Sequence, residues 1–339
     1  MKDIVFTGMG CITPAGSGAD DMVKAVDEFK NTTADLKENR MRKMQDEEAD
    51  RIKTLGSFPR LDRGIAYLLT AVSQALKNSN IELEEMNRKR IGIVIGTTFG
   101  MWSSQVRFLK AYQKTSKPSS VLFQQTTNNL YSGALAYQYQ LSGHNVTLFS
   151  NWTGGIDAIL YAKRLIAQDC CDTVIVGAID TIDETSGICC RNIKSSAADG
   201  KVLDDDFVLG EAVSVVIMES DSLASRLGHP ILGSFVEGAH SRFYSADEIS
   251  LFLSARVLNG DFDTYMANTN HTFVDSAESR ALNICKGKTE AVYIKHAIGE
   301  CGAASGGLQV IYGLKKHIRS VVFNACITGK MGYLRIAAE

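Results

Sequence analysis

The sequence predicts a layered α/β fold made of two related halves. Short apolar runs rich in β-branched residues alternate with segments whose apolar residues recur at helical spacing. The β-α-β order that results calls for right-handed crossovers, with helices covering both faces of the sheet. Around Asp221 to Pro230 the pattern resets, and a second series of strand, glycine-rich turn and buried helix begins. The expected division is 1–222 and 223–339, two related halves around a shared core, although no residue-level repeat links them.

The elements follow in order. "DIVFTGMGC" reads as a strand ending in glycines, "RGIAYLLTAVSQALKNS" as a helix, and "RIGIVIGTTFG" as a buried strand leaving through a Gly/Thr turn. "SGALAYQYQL" is a helix, "NVTLFS" a strand, "DAILYAKRLIAQ" a helix and "DTVIVGAIDT" a strand. "FVLGEAVSVVIMES" is apolar enough to be one central strand. The second series holds "HPILGSFVEGAH", "DTYMANTN", "AVYIKHAIG" as strand running into turn, and the helix "GLQVIYGLKKHI". It closes with the pair "SVVFNACITG" and "GYLRIAAE". The stretch 31–53, "NTTADLKENRMRKMQDEEADRIK", mixes both charge signs with little apolar periodicity, as in a solvated helical excursion or a partner-contacting cap.

Composition narrows the function classes. With 339 residues, 45% hydrophobic and 22% charged, the chain is ordinary globular protein with room for a large core. A formal charge of -2 offers no footprint for nucleic acid or an anionic membrane. No apolar run reaches transmembrane length, and "MKDIVFTGMGC" is too short and too β-like for a signal peptide, so a cytoplasmic location is expected. The eight cysteines include the pairs Cys170–Cys171 and Cys189–Cys190, without CxxC spacing. That suits buried, reduced thiols better than a zinc site or a disulfide scaffold. No cofactor and no metal are expected.

The stretch "NVTLFSNWTGGIDAI", 145–159, is a strand-to-helix turn of the kind that presents a nucleophile, yet its centre is Trp152. Together with "VFTGMGCITPAGSG", "IGIVIGTTFG", "FVLGEAVSVVIME" and "IKHAIGECGAASGG", in that order, it resembles the β-ketoacyl-acyl carrier protein synthases, enzymes of the thiolase fold. The resemblance implies α-β-α-β-α layers for the two halves. The chain is shorter than typical members, chiefly between about Gly238 and Tyr265. Active members use a cysteine at the positive end of a buried helix as acyl acceptor, with two histidines assisting decarboxylation and steadying the enolate.

The resemblance implies that this constellation is dismantled here. The cysteine position falls on Trp152. In the Lys-x-x-x-x-His motif Lys295 remains, but Glu300 stands five residues on, and His296 is four positions out of register. In "YMANTNHTFVDSAES", Asp275 and Glu278 fit the family's downstream acids, while the other histidine position falls on Asn268 or Thr269, or on His271, depending on the gap. Ile327–Thr328–Gly329–Lys330 replaces the Gly-Phe-Gly-Gly loop, so that Thr328 takes the place of the gating aromatic and Lys330 that of a flexible glycine.

Such a chain is similar to the chain-length factors, or ketosynthase β subunits, of type II polyketide and aryl-polyene synthases. These pair with an active ketosynthase and shape the tunnel for the acyl chain grown on an acyl carrier protein. Chain-length factors usually carry Gln at the elbow, from which Trp152 departs. By the resemblance, Met101, Trp102, Phe108 and Phe123 are candidates to line or plug the tunnel at the subunit interface, with simple core packing as the alternative for each. Two further readings stand beside this one. One is a divergent acyltransferase or decarboxylase with a relocated nucleophile such as Cys301; the other is a homodimeric acyl-binding scaffold.

Overall fold

The computed structural model describes residues 3–29, 41–45, 62–193, 198, 202–284 and 290–339. The expected excursion at 31–53 therefore lies outside the described residues except for 41–45. The first series comprises β1 (Ile4–Thr13), β2 (Gly16–Ser17), α1 (Ala19–Phe29) and β3 (Met41–Arg42). Next come α2 (Arg63–Ser79), β4 (Ile91–Thr97), α3 (Trp102–Thr115), α4 (Ser120–Gln124) and α5 (Leu130–Gln138). Then β5 (Asn145–Phe149), α6 (Gly154–Ala167), β6 (Thr173–Asp180), α7 (Glu184–Arg191), β7 (Leu209–Gly210) and β8 (Ala212–Ser220) complete it.

After α8 (Asp221–Leu227) the second series runs β9 (Gly233–Arg242), α9 (Ala246–Phe252) and β10 (Thr264–Met266). It continues with α10 (Val274–Ile284), β11 (Glu290–Val292), α11 (Ile294–Ile298), α12 (Ala304–Lys315), β12 (Arg319–Cys326) and β13 (Lys330–Ala338).

The strand path is β11-β10-β12-β13-β9-β1-β8-β6-β4-β5. Numbered along the chain within each half, β1, β4, β5, β6, β8 and β9 to β13 both read 1-5-4-2-3. Directions repeat as well: β6, β4 and β5 are parallel like β12, β10 and β11, and the neighbouring pairs are antiparallel. The halves meet through antiparallel pairing of Val5 with Ser234 and Phe6 with Gly233. The repeat that residue identities do not reveal is thus written in the topology.

Strand alternation builds the layers. On β8, Val213, Val215 and Ile217 face a cluster with α2, while Val216 and Met218 face the inner layer with α6 and α12. On β12, Val321 and Phe323 face the α9–α10 side and Val322 the inner layer. The two inner helices cross where α6 has a glycine: a Cβ on Gly155 would lie 2.6 Å from the Ala303 carbonyl oxygen. The Gly155 N–H donates to that oxygen at 2.9 Å.

Three expectations are corrected. "FVLGEAVSVVIMES" is not one strand. Leu209–Gly210 pairs with Met41–Arg42 in a separate two-stranded sheet, and β8 begins only after Glu211. The buried Glu211 carboxylate accepts from Arg63 Nη1 (2.9 Å), Met44 N (2.8 Å) and Ile182 N (3.0 Å), and this set of donors marks the break. "AVYIKHAIG" is a three-residue strand followed by the short helix α11 rather than a strand into turn. The cysteines among the described residues are free, but Cys189 is exposed and not buried as expected.

Candidate functional site

The turn Ser150–Thr153 carries the chain from β5 into α6, at the junction of the two inner helices. Trp152 sits at its centre, 2% exposed. Its ring stacks on Phe207 with centroids 5.9 Å apart and planes 13° from parallel. Ile182, Cys190, Leu203, Leu209, Cys326 and Ile327 belong to the same buried cluster. Trp152 thus lies among buried apolar side chains, and at the helix start the Gly154 and Gly155 N–H groups are committed to the Asn151 and Ala303 carbonyl oxygens. The thiols beside the indole are poor nucleophiles: burial pushes Cys190 up to about 12 and raises Cys326, disfavouring the thiolate.

A second group lies at the start of α12. Lys295 Nζ is 2.8 Å from Glu300 Oε2, and both side chains are essentially inaccessible. The Glu300 carboxylate also accepts from Gly302 N (3.0 Å), Ser305 Oγ (2.9 Å) and Asn270 Nδ2. Lys295 donates to Asn268 Oδ1 at 2.8 Å, an oxygen that also accepts from Ala325 N at 3.0 Å. A carboxylate held by this many donors has no lone pair aimed at a reacting centre.

His271 stands apart from this group. Its backbone has φ +63°, its N–H donates to Asp275 Oδ2 at 2.7 Å, and its ring stacks on His296 at 5.4 Å. His296 in turn stacks on Tyr293 at 5.2 Å, and burial, with His271 adding to it, pulls His296 down to about 4. The residues of that loop that reach Lys295 and Glu300 are Asn268 and Asn270; Thr269 donates to Glu278 at 2.6 Å. Asn270 was not among the expected site residues, because nothing in the spacing distinguishes it from His271 beside it.

The β12–β13 turn closes the elbow from the other side. Asn151 Nδ2 donates to Thr328 Oγ1 at 2.9 Å, and Lys330 Nζ donates to Ser150 Oγ at 2.9 Å and pairs with Asp157. Thr153 Oγ1 donates to the same Asp157 carboxylate at 3.0 Å. Lys330 thus ties the turn to the first turn of α6.

Residues 1–224 match the model of the family described as "Beta-ketoacyl synthase, N-terminal domain". The chain belongs to the β-ketoacyl synthase family. Curated relatives include 3-oxoacyl-[acyl-carrier-protein] synthase 2 of Coxiella burnetii, 25% identical over 64% of this chain and 58% of its own. The tetracenomycin polyketide synthase ketoacyl synthase alpha subunit of Streptomyces glaucescens is 28% identical over 67% and 60%. The chain spans less than two thirds of the length of these relatives.

Solved structures share its thiolase fold. The type II polyketide synthase assembly AntDE:AntF, an acyl carrier protein in complex with its ketosynthase, superposes with TM-score 0.82 at 17% identity, covering 100% of this chain and 99% of that one. The ishigamide ketosynthase/chain length factor gives 0.80 at 19% identity, covering 99% of each.

Within this β-ketoacyl synthase fold the four tunnel candidates are spread from core to surface. Met101 is 2% exposed and part of the core beneath α2. Trp102 is half-buried, with an indole Nε1 that has no hydrogen-bond partner among the described residues. Phe108 is half-buried and meets the exposed Phe123 at 5.8 Å. Cys301 is fully buried, its thiol directed at the carbonyl oxygens of Ile298 (3.7 Å) and Gly299 (3.5 Å). Burial, and then the Glu300 charge, raise its pKa well above the ordinary range.

Proposed function

We propose that this chain is a non-catalytic ketosynthase-like subunit, a chain-length factor, that pairs with an active β-ketoacyl synthase and shapes the tunnel for a polyketide or polyene acyl chain. The observation that carries the reading is Trp152: an indole, buried and stacked on Phe207, stands where the resemblance puts the acyl-accepting cysteine. Glu300 stands in a histidine position and is bound by Lys295, so no base faces the elbow from that position. Cys301 does not rescue an acyltransferase reading, because its thiol is enclosed and its ionisation disfavoured.

The surface supports a partner. Leu109, Tyr112, Val121, Phe123, Tyr137 and Phe149 are exposed large apolar residues from α3, α4, α5 and β5. Strand β5 is the last in the sheet path, so one of its edges has no strand neighbour among the described residues. An apolar face beside an open sheet edge is unfavourable in water and favours coverage by another subunit. A ketosynthase with its own Cys-His-His set is the expected occupant, with the acyl carrier protein reaching the cysteine of that subunit.

Co-expression with such a ketosynthase, followed by size-exclusion chromatography with light scattering, should recover a 1:1 complex. Recovery of this chain solely as a homodimer, with the ketosynthase eluting apart, would sink the reading.

A further inference from the structure

Farther along α6, away from the elbow, a cavity of about 420 Å³ opens between that helix, β9 and the start of β1. This lies within the ~300–1,000 Å³ of small-molecule sites. Its walls are of two kinds. Ile4, Leu160, Phe235 and Val236 supply an apolar surface. Lys163 and Arg164 stand three and four residues beyond Leu160 and so share its side of the helix.

The walls carry two acids, Asp3 and Glu237, and two cations, Lys163 and Arg164. Of the acids, Glu237 is bound by Arg335 Nη1 and by the Tyr333 hydroxyl at 3.4 Å. Asp3, just before β1, is exposed, as is Arg164, whereas Lys163 is half-buried. Neither the Lys163 nor the Arg164 side chain has a hydrogen bond or ion pair among the described residues. At the other end of the β9 wall, His240 Nδ1 lies 3.6 Å from Asp157 Oδ1, a buried oxygen with no hydrogen-bond donor among the described residues.

We propose that this cavity binds a small carboxylate with an apolar body, of medium-chain acyl or aryl size. The carboxylate pairs with Lys163 and Arg164, and the body lies against Ile4, Leu160 and Phe235. Two cations beside an apolar wall select that chemistry. A neutral chain leaves both cations unpaired, and a bare inorganic anion leaves the wall wet. The site lies apart from Trp152 and does not depend on the reading of the elbow.

Calorimetric titration of the intact chain tests it with octanoate, octanamide and inorganic phosphate. Octanoate should bind saturably at one site, with octanamide weaker by about tenfold or more and phosphate not binding. The double variant Lys163→Gln/Arg164→Gln, checked for an unchanged melting temperature, should weaken octanoate by a similar factor. Val236→Trp, at a 57% exposed wall position, should obstruct the body of the ligand without disturbing the core. Equal binding of octanoate and octanamide, phosphate binding as tightly as octanoate, or no saturable octanoate binding would each overturn the proposal. A folded double variant with undiminished affinity would do the same.

Discussion

At the scale of the residue, the proposed loss of chemistry leaves packing and pairing to be tested. Trp152→Ala removes an indole from a filled site and should cost about 3–5 kcal/mol in urea unfolding, since the neighbours relax only partly. Trp152→Cys should give no condensing activity, because Glu300 remains bound to Lys295 and Lys330 still ties the β12–β13 turn to Asp157. The Lys295–Glu300 pair gives a sharper test. Glu300→Gln leaves a buried ammonium without its counter-charge and should destabilise by about 3–5 kcal/mol, whereas Lys295→Met/Glu300→Gln should lose clearly less than the sum of the single variants.

Asp180 offers a pH test. Its buried carboxylate accepts from Thr98 N (2.8 Å), Phe99 N (2.8 Å) and Ala303 N (2.7 Å), yet burial dominates and moves its pKa from 3.8 up to about 6. A raised acid pKa means that the folded state holds the proton more tightly. Its contribution to stability is therefore full below about 4 and is lost as pH rises through about 6, with a span on the order of 2–3 kcal/mol. Urea unfolding between these limits should show that fall in the wild type and a flatter profile in Asp180→Asn.

At the scale of the element, the prediction concerns the open edge. Phe123 and Phe149 are 58% and 61% exposed, so Phe123→Asp or Phe149→Glu should leave the melting temperature of the isolated chain nearly unchanged. Either should weaken association with the proposed ketosynthase partner by more than tenfold in a titration, because a charge would be buried at the proposed interface. Much of this level was legible in the sequence. The apolar alternation of "DTVIVGAIDT" and the helical spacing of "RGIAYLLTAVSQALKNS" correspond to β6 and α2 because burial on two faces, or on one stripe, leaves a direct period. The break at Glu211 was not legible, since it depends on donors from Met44, Arg63 and Ile182, far away in the chain. The same holds at the site. Trp152 and Glu300 depart from the pattern that the resemblance implies, but Asn270, rather than His271, faces Glu300 through a left-handed turn that only the folded loop defines.

At the scale of the whole molecule, two halves with the same strand order enclose inner helices that meet at Gly155 and Ala303. Product length offers one test of the proposed tunnel. Phe108→Ala, at the half-buried Phe108–Phe123 contact, should lengthen the product of the complex. Met101→Ala, in the core beneath α2, should instead cost about 2–5 kcal/mol of stability. The central question remains where the acyl group resides. The most direct measurement is intact-mass spectrometry of both chains after the co-purified complex is incubated with an acyl-loaded carrier protein. The ketosynthase should gain one acyl group, removed by mutating its cysteine, while this chain keeps its unmodified mass. A stoichiometric acyl adduct on this chain, at Cys301, Cys326 or any other residue, would contradict a non-catalytic elbow.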